Sequence, residues 1–154
     1  MEIEDILDKD SVTTSVKAKS KKQVLQEMAS LAAKHTGLLE RDVFDIILER
    51  ERLGTTGVGN GIAIPHGKIP SLESIYGCFV RLAEPIDFEA EDGAPVDLIF
   101  LLLAPELAGA DHLKALARIS KIFRDTDKCD QLRAIDSPAQ LYELLTSEHH
   151  NQEV

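Results

Sequence analysis

The run Val96-Asp97-Leu98-Ile99-Phe100-Leu101-Leu102-Leu103 constrains the fold of this chain more than any other stretch. After Asp97 it is apolar at every position and has no face to offer water. A β-strand of this kind must be covered on both sides. The turn cluster Glu91-Asp92-Gly93-Ala94-Pro95 leads into it and Ala104-Pro105 ends it.

Amphipathic helices on either side of the chain supply those covers. Ser20-Lys21-Lys22-Gln23 has the form of a capping box, and Val24, Met28, Leu31 and Ala32 then recur at helical spacing until Gly37. This predicts a helix from Lys21 to His35, with His35 a cation that complements the negative helix end. Val43, Phe44, Ile47 and Leu53 predict a second helix over Glu40 to Arg52, with Glu40, Arg41, Asp45 and Glu49 facing outward. Gly109-Ala110-Asp111 offers a cap for a third, defined by Leu113, Leu116, Ala117, Ile119 and Ile122 and reaching Phe123. Asp127 to Ala134 reads as a short helix, and Ser137-Pro138-Ala139-Gln140 opens a last one to Leu145.

The remaining strands are shorter. Met1 to Leu7 reads as a helical turn broken by Asp8-Lys9-Asp10, and Val12 to Val16 as an edge strand. Ile75 to Leu82 and Ile86 to Phe88 read as two strands separated by Ala83-Glu84-Pro85. Helices and strands in alternation around a doubly buried strand define an α/β sandwich. A length of 154 residues suits one domain, expected over 1–146, with 147–154 as a polar tail in which His149 and His150 are not ligands.

Composition narrows the function. A net charge of −10 argues against nucleic acid and anionic lipid as partners. The chain has neither a long apolar span nor a basic, apolar leader, so membrane insertion is not expected and the expected location is cytoplasmic. Cys78 and Cys129 have no paired spacing and read as buried thiols.

The chemistry is collected between Arg50 and Lys68, where five of the nine glycines fall. Glycine is placed where backbone turns at positive φ or lies close to another group, so this loop is shaped around something. Ile62-Ala63-Ile64 predicts a short strand that Pro65 ends, leaving His66 at a strand end with Gly67 opening one side of its ring. His66 is then either a turn histidine bonded to nearby backbone or a reactive side chain. The glycine spacing matches neither the phosphate loop nor the dinucleotide fingerprint. His112, in the first turn of the third helix, is either an exposed histidine or one kept neutral by the helix N-terminus, where an anion is welcome.

The segment Arg50-Glu51, Gly54-Thr55-Thr56-Gly57-Val58-Gly59-Asn60-Gly61-Ile62-Ala63-Ile64-Pro65-His66-Gly67-Lys68 resembles the active-site signature of the IIA phosphocarrier domains of the bacterial phosphotransferase system. The likeness is to the mannitol/fructose class, and within it to the nitrogen-regulatory branch. It extends over almost the entire chain. It implies a mixed, mostly five-stranded sheet with helices on both faces. It also implies that His66 accepts a phosphoryl group on Nε2 from an HPr-like nitrogen-branch phosphocarrier, that Arg50, sixteen positions earlier, stabilises the phosphate, that His112 faces His66, and that no metal cofactor is needed.

A neutral imidazole is a competent phosphoryl acceptor, and a carrier must then hold three charged oxygens without activating water. Arg50 offers charge, Thr55 or Thr56 a hydroxyl, and the glycine loop, including Gly61, its amides. The output expected from the resemblance is regulation of nitrogen- or potassium-related target proteins by phosphorylation state. The alternatives are a fructose- or mannitol-specific component that passes phosphate to a IIB domain, and a noncatalytic regulatory binding module. A zinc hydrolase using His66 and His112 lacks the third ligand such sites require.

Overall fold

The computed structural model describes residues 2–147. The polar tail expected over 147–154, with His149 and His150, lies almost entirely outside them. After a 3-10 turn at Ile3–Asp5, the chain runs β1 (Leu7–Val16), α1 (Lys21–Thr36), α2 (Glu40–Leu53), β2 (Gly57–Gly59), β3 (Ile62–Ala63), β4 (His66–Ile69), β5 (Tyr76–Ile86), β6 (Val96–Pro105), α3 (Ala110–Arg124), α4 (Thr126–Ala134) and α5 (Pro138–Thr146).

The sheet is mixed and ordered β1-β5-β6-β3-β2, with β4 also paired to β6. β3 and β4 run parallel to β6 one after the other, Ile62 opposite Leu98 and His66 opposite Leu102, while β5 is antiparallel along the other edge. Six segments therefore fill five positions across the sheet.

β6 is buried on both faces, as its sequence requires. Ile99, Leu101 and Leu103 join Val24, Leu25, Met28, Val43 and Ile47 in a core under α1 and α2. Leu98, Phe100 and Leu102 join Ile119, Phe123, Leu132, Leu141 and Leu145 in a second core under α3, α4 and α5. Ser20 caps α1 and Ser137 caps α5 through their hydroxyls, as their positions predict.

Three expectations need correction. The strand expected from Val12 begins at Leu7, and the helical turn before it is confined to Ile3–Asp5. Asp8, Lys9 and Asp10 are exposed on an edge strand, where charge is tolerated, and a register shift between Leu7 and Val12 accommodates them. β5 runs unbroken through Ala83-Glu84-Pro85, where a further irregularity between Arg81 and Ile86 takes up the proline, and it stops at Ile86, before Phe88. His66 opens a strand rather than following the end of one. The backbone breaks at Ile64-Pro65, the Pro65 carbonyl still accepts the Leu102 amide at 2.9 Å, and β4 continues along β6.

Candidate active site

Pairing with Leu102 sets the direction of His66. Leu102 faces the α3–α5 core, and residues opposite one another in a ladder share a face, so the His66 side chain points toward α3. There it meets His112, the third residue of that helix, with ring centroids 5.8 Å apart and planes inclined by 49°. Lys68, two residues along β4, shares the His66 face. Gly67 between them points the other way. A Cβ there would lie 2.8 Å from Cγ2 of Ile46, so this glycine lets α2 close on the strand on the face away from the imidazole rather than opening space beside the ring.

The tautomer of His66 follows from its partner. Nδ1 lies 2.9 Å from the Ile64 carbonyl oxygen. A carbonyl only accepts, so Nδ1 carries the proton and Nε2 of the neutral ring carries the lone pair. The local bond expected of a turn histidine is therefore present, and it leaves the other nitrogen with its lone pair.

His112 is held neutral. Burial, then the His66 ring, then the Lys68 ammonium push its pKa below the ordinary imidazole value. Its Nδ1 is buried without a hydrogen-bond partner. An unsatisfied buried nitrogen on the ring beside His66 marks a place where a further polar group fits.

The other expected residues separate into two groups. Arg50 braces the exit of α2, its Nη1 donating to the Gly54 carbonyl at 2.9 Å. That bond uses one of five guanidinium N–H groups. Arg52 instead pairs with Glu49 on the surface. The Thr55 hydroxyl donates to the Phe88 carbonyl at 3.2 Å, and the Thr56 hydroxyl donates to Glu51. Gly61, at φ 82°, lies beside Asp97 and Arg133, and its carbonyl accepts the amides of Asp97 and Leu98. Along β6 that is four positions from Leu102, roughly 13 Å at the rise of a strand. Gly61 is thus part of a structural turn, away from His66.

Sequence reasoning passed over Glu51, whose buried carboxylate accepts from the Thr56 amide at 2.8 Å and pairs with Lys21 at 2.8 Å. A signal was available, since Glu51 continues the stripe of Val43 and Ile47 at intervals of four and so falls on the buried side of α2. Among the described residues, no three His, Cys, Asp or Glu side chains come together as a metal-ligand set, and no helix is long and apolar enough to cross a membrane.

A strand-borne histidine with Nε2 free, faced by a neutral histidine at a helix N-terminus, is an arrangement suited to a phosphoryl carrier. The family model described as phosphoenolpyruvate-dependent sugar phosphotransferase system, EIIA 2, matches residues 5–148, and the chain belongs to that family. It is 57% identical over 145 residues to a nitrogen regulatory protein of Bradyrhizobium diazoefficiens, spanning 94% of this chain and 95% of the relative. The crystal structure of nitrogen regulatory protein IIA-Ntr from Neisseria meningitidis superposes with a TM-score of 0.89 at 36% identity, covering 94% of this chain and 99% of that one. The mannitol IIA of Escherichia coli shares the fold, with a TM-score of 0.76 at 21% identity over 88% of this chain and 96% of its own.

Proposed function

We propose that this protein is a phosphohistidine carrier whose phosphorylation state controls partner proteins in nitrogen- or potassium-related regulation. The observation that carries the reading is the bond from Nδ1–H of His66 to the Ile64 carbonyl, which leaves Nε2 as the nucleophile. The donor is an HPr-like phosphocarrier of the nitrogen branch.

In the transfer, the Nε2 lone pair forms a bond to phosphorus as the phosphorus–nitrogen bond of the donor's phosphohistidine breaks. The donor imidazole leaves with that electron pair. The positive charge that develops on the His66 ring is spread toward Nδ1–H and stabilised by the Ile64 carbonyl. Arg50 supplies charge to the phosphoryl oxygens. His112, neutral and with Nδ1 unpartnered, orients the group or donates a hydrogen bond to it. Thr55 and Thr56 hold the loop, since their hydroxyls are already engaged by Phe88 and Glu51. The chain's likeness to proteins named nitrogen regulatory favours the regulatory output.

The test is incubation with phosphoenolpyruvate, enzyme I and either HPr or its nitrogen-branch counterpart, followed by intact mass. An acid-labile phosphate gained faster from the nitrogen-branch donor and lost in His66→Ala supports the reading. Preference for ordinary HPr moves the protein to sugar uptake, and label retained on folded His66→Ala refutes His66 as the acceptor.

A further inference from the structure

A buried carboxylate is connected to His66 through two residues of backbone. Glu51, 6% exposed, sits in the last turn of α2. It accepts from the Thr56 amide at 2.8 Å and from the Thr56 hydroxyl, and it pairs with the Lys21 ammonium at 2.8 Å. The Thr56 carbonyl accepts the Ile64 amide at 3.0 Å. The Ile64 carbonyl then accepts Nδ1–H of His66 at 2.9 Å. Each link in such a line polarises and orients the next.

We propose that Glu51 is a positioning residue for His66, fixing the Ile64 carbonyl through Thr56 and so holding the imidazole proton on Nδ1 and the lone pair on Nε2. The inference rests on the carrier reading and adds to it a residue that does not touch the phosphoryl group.

Three further observations support it. Burying a carboxylate is costly unless it is fully hydrogen-bonded, and an apolar residue continuing the Val43 and Ile47 stripe would avoid that cost. What a carboxylate does here and an apolar residue does not is hold a backbone amide and a hydroxyl of the same loop residue. The loop is also gripped from the opposite side, where the Thr55 hydroxyl donates to Phe88 and receives the Gly57 amide at 3.0 Å. Finally, a Cβ at Gly54 would meet open space, so no side-chain packing there directs the exit of α2, which is set by these two grips together with the Arg50 bond to the Gly54 carbonyl. Lys21 serves the same end. It comes from the first turn of α1, lies 5.0 Å over the Phe88 ring, and balances the Glu51 charge.

The experiment reads the ring directly. Nitrogen-15 spectra of the unphosphorylated protein, at alkaline pH where the imidazole is neutral, are expected to show the Nδ1–H tautomer of His66. Glu51→Ala should mix the two tautomers and lower kcat for phosphoryl transfer by roughly tenfold with the donor's KM unchanged. Glu51→Gln keeps an oxygen for the Thr56 amide and should restore both readouts. If Glu51→Ala does not fold, the double variant Lys21→Met with Glu51→Leu removes both charges together and carries the same expectation as Glu51→Ala. A folded variant lacking the carboxylate that keeps the Nδ1–H tautomer and the parental kcat overturns the proposal. The tautomer is measured without any phosphate donor, so failure of wild-type protein to take up phosphate would refute the carrier reading while the ring spectra still decide the role of Glu51.

Discussion

The imidazoles of His66 and His112 stand 5.8 Å apart at their centroids, one carried by a strand and the other by the first turn of a helix on the same face of the sheet. Burial makes charging His112 costly, and repulsion from the His66 ring and then from the Lys68 ammonium adds to that cost. Its pKa accordingly lies below the ordinary value of 6.5. The folded chain therefore binds a proton at His112 less readily than the unfolded chain. The associated stability is present above about pH 6.5 and is lost as the pH falls from there through the folded midpoint. Histidine C–H resonances followed by NMR should place the His112 midpoint below 6.5. In His66→Gln the midpoint should rise but stay below that value, because burial is the largest cause. Phosphorylation of His66 adds a nearby anion and should raise it further. A midpoint at or above 6.5 in the unmodified protein would refute the neutral His112.

Arg50 is expected to matter to transfer far more than to folding. Its hydrogen bond to the Gly54 carbonyl is exposed, so Arg50→Ala should cost under about 1 kcal/mol of stability by urea denaturation. If Arg50 supplies charge to the phosphoryl oxygens as proposed, its loss should slow transfer by about 10- to 100-fold. Unchanged single-turnover kinetics in the variant would remove Arg50 from the site.

Some of this arrangement is legible in the residues alone, and the reason differs from place to place. β6 declares itself because apolar side chains on both faces admit no exposed alternative. His66 and His112 are found by the company they keep, a proline–histidine–glycine run and a helix start. β4 is not legible, because half-buried His66 and exposed Lys68 show no apolar alternation, and the segment is a strand only because β6 offers an edge beyond the proline. The edge-strand charges of β1 and the proline within β5 mislead for a related reason. Tertiary pairing overrides a local break where a register shift absorbs it. Glu51 is hidden by its charge, which suggests exposure, although its helical phase places it inward.

Gly67 ties the strand that carries His66 to α2. A Cβ there would stand 2.8 Å from Cγ2 of Ile46, closer than packed carbons approach. Gly67→Ala should destabilise the protein by about 1–3 kcal/mol and shift the His66 amide resonance as β4 is pushed from the helix. Ile46→Ala removes the opposing methyl, so the double variant should be more stable than the sum of the two single changes implies. Additive effects in that cycle would show that the contact does not set the spacing.

Gly61 separates a structural from a phosphate-binding use of the glycine loop. Its φ of 82° is unfavourable for other residues, and a Cβ would run into the Arg133 guanidinium and lie 3.0 Å from Oδ1 of Asp97. Arg133 donates to both Asp97 oxygens and, at 2.8 Å, to the Asn60 carbonyl, fastening the turn between β2 and β3 to α4. Gly61→Ala should therefore break this fastening and destabilise the fold by about 2 kcal/mol or more. Arg133→Ala should loosen the same turn by about 1–2 kcal/mol, because it leaves Asp97 partly buried without its cation. Because the turn that both fasten lies several strand positions from His66, the rate of phosphoryl transfer per folded molecule should not change in either variant. Single-turnover labelling normalised to the folded fraction decides the matter: a tenfold fall in Gly61→Ala with no fall in Arg133→Ala would return the Gly61 amide to the phosphate site.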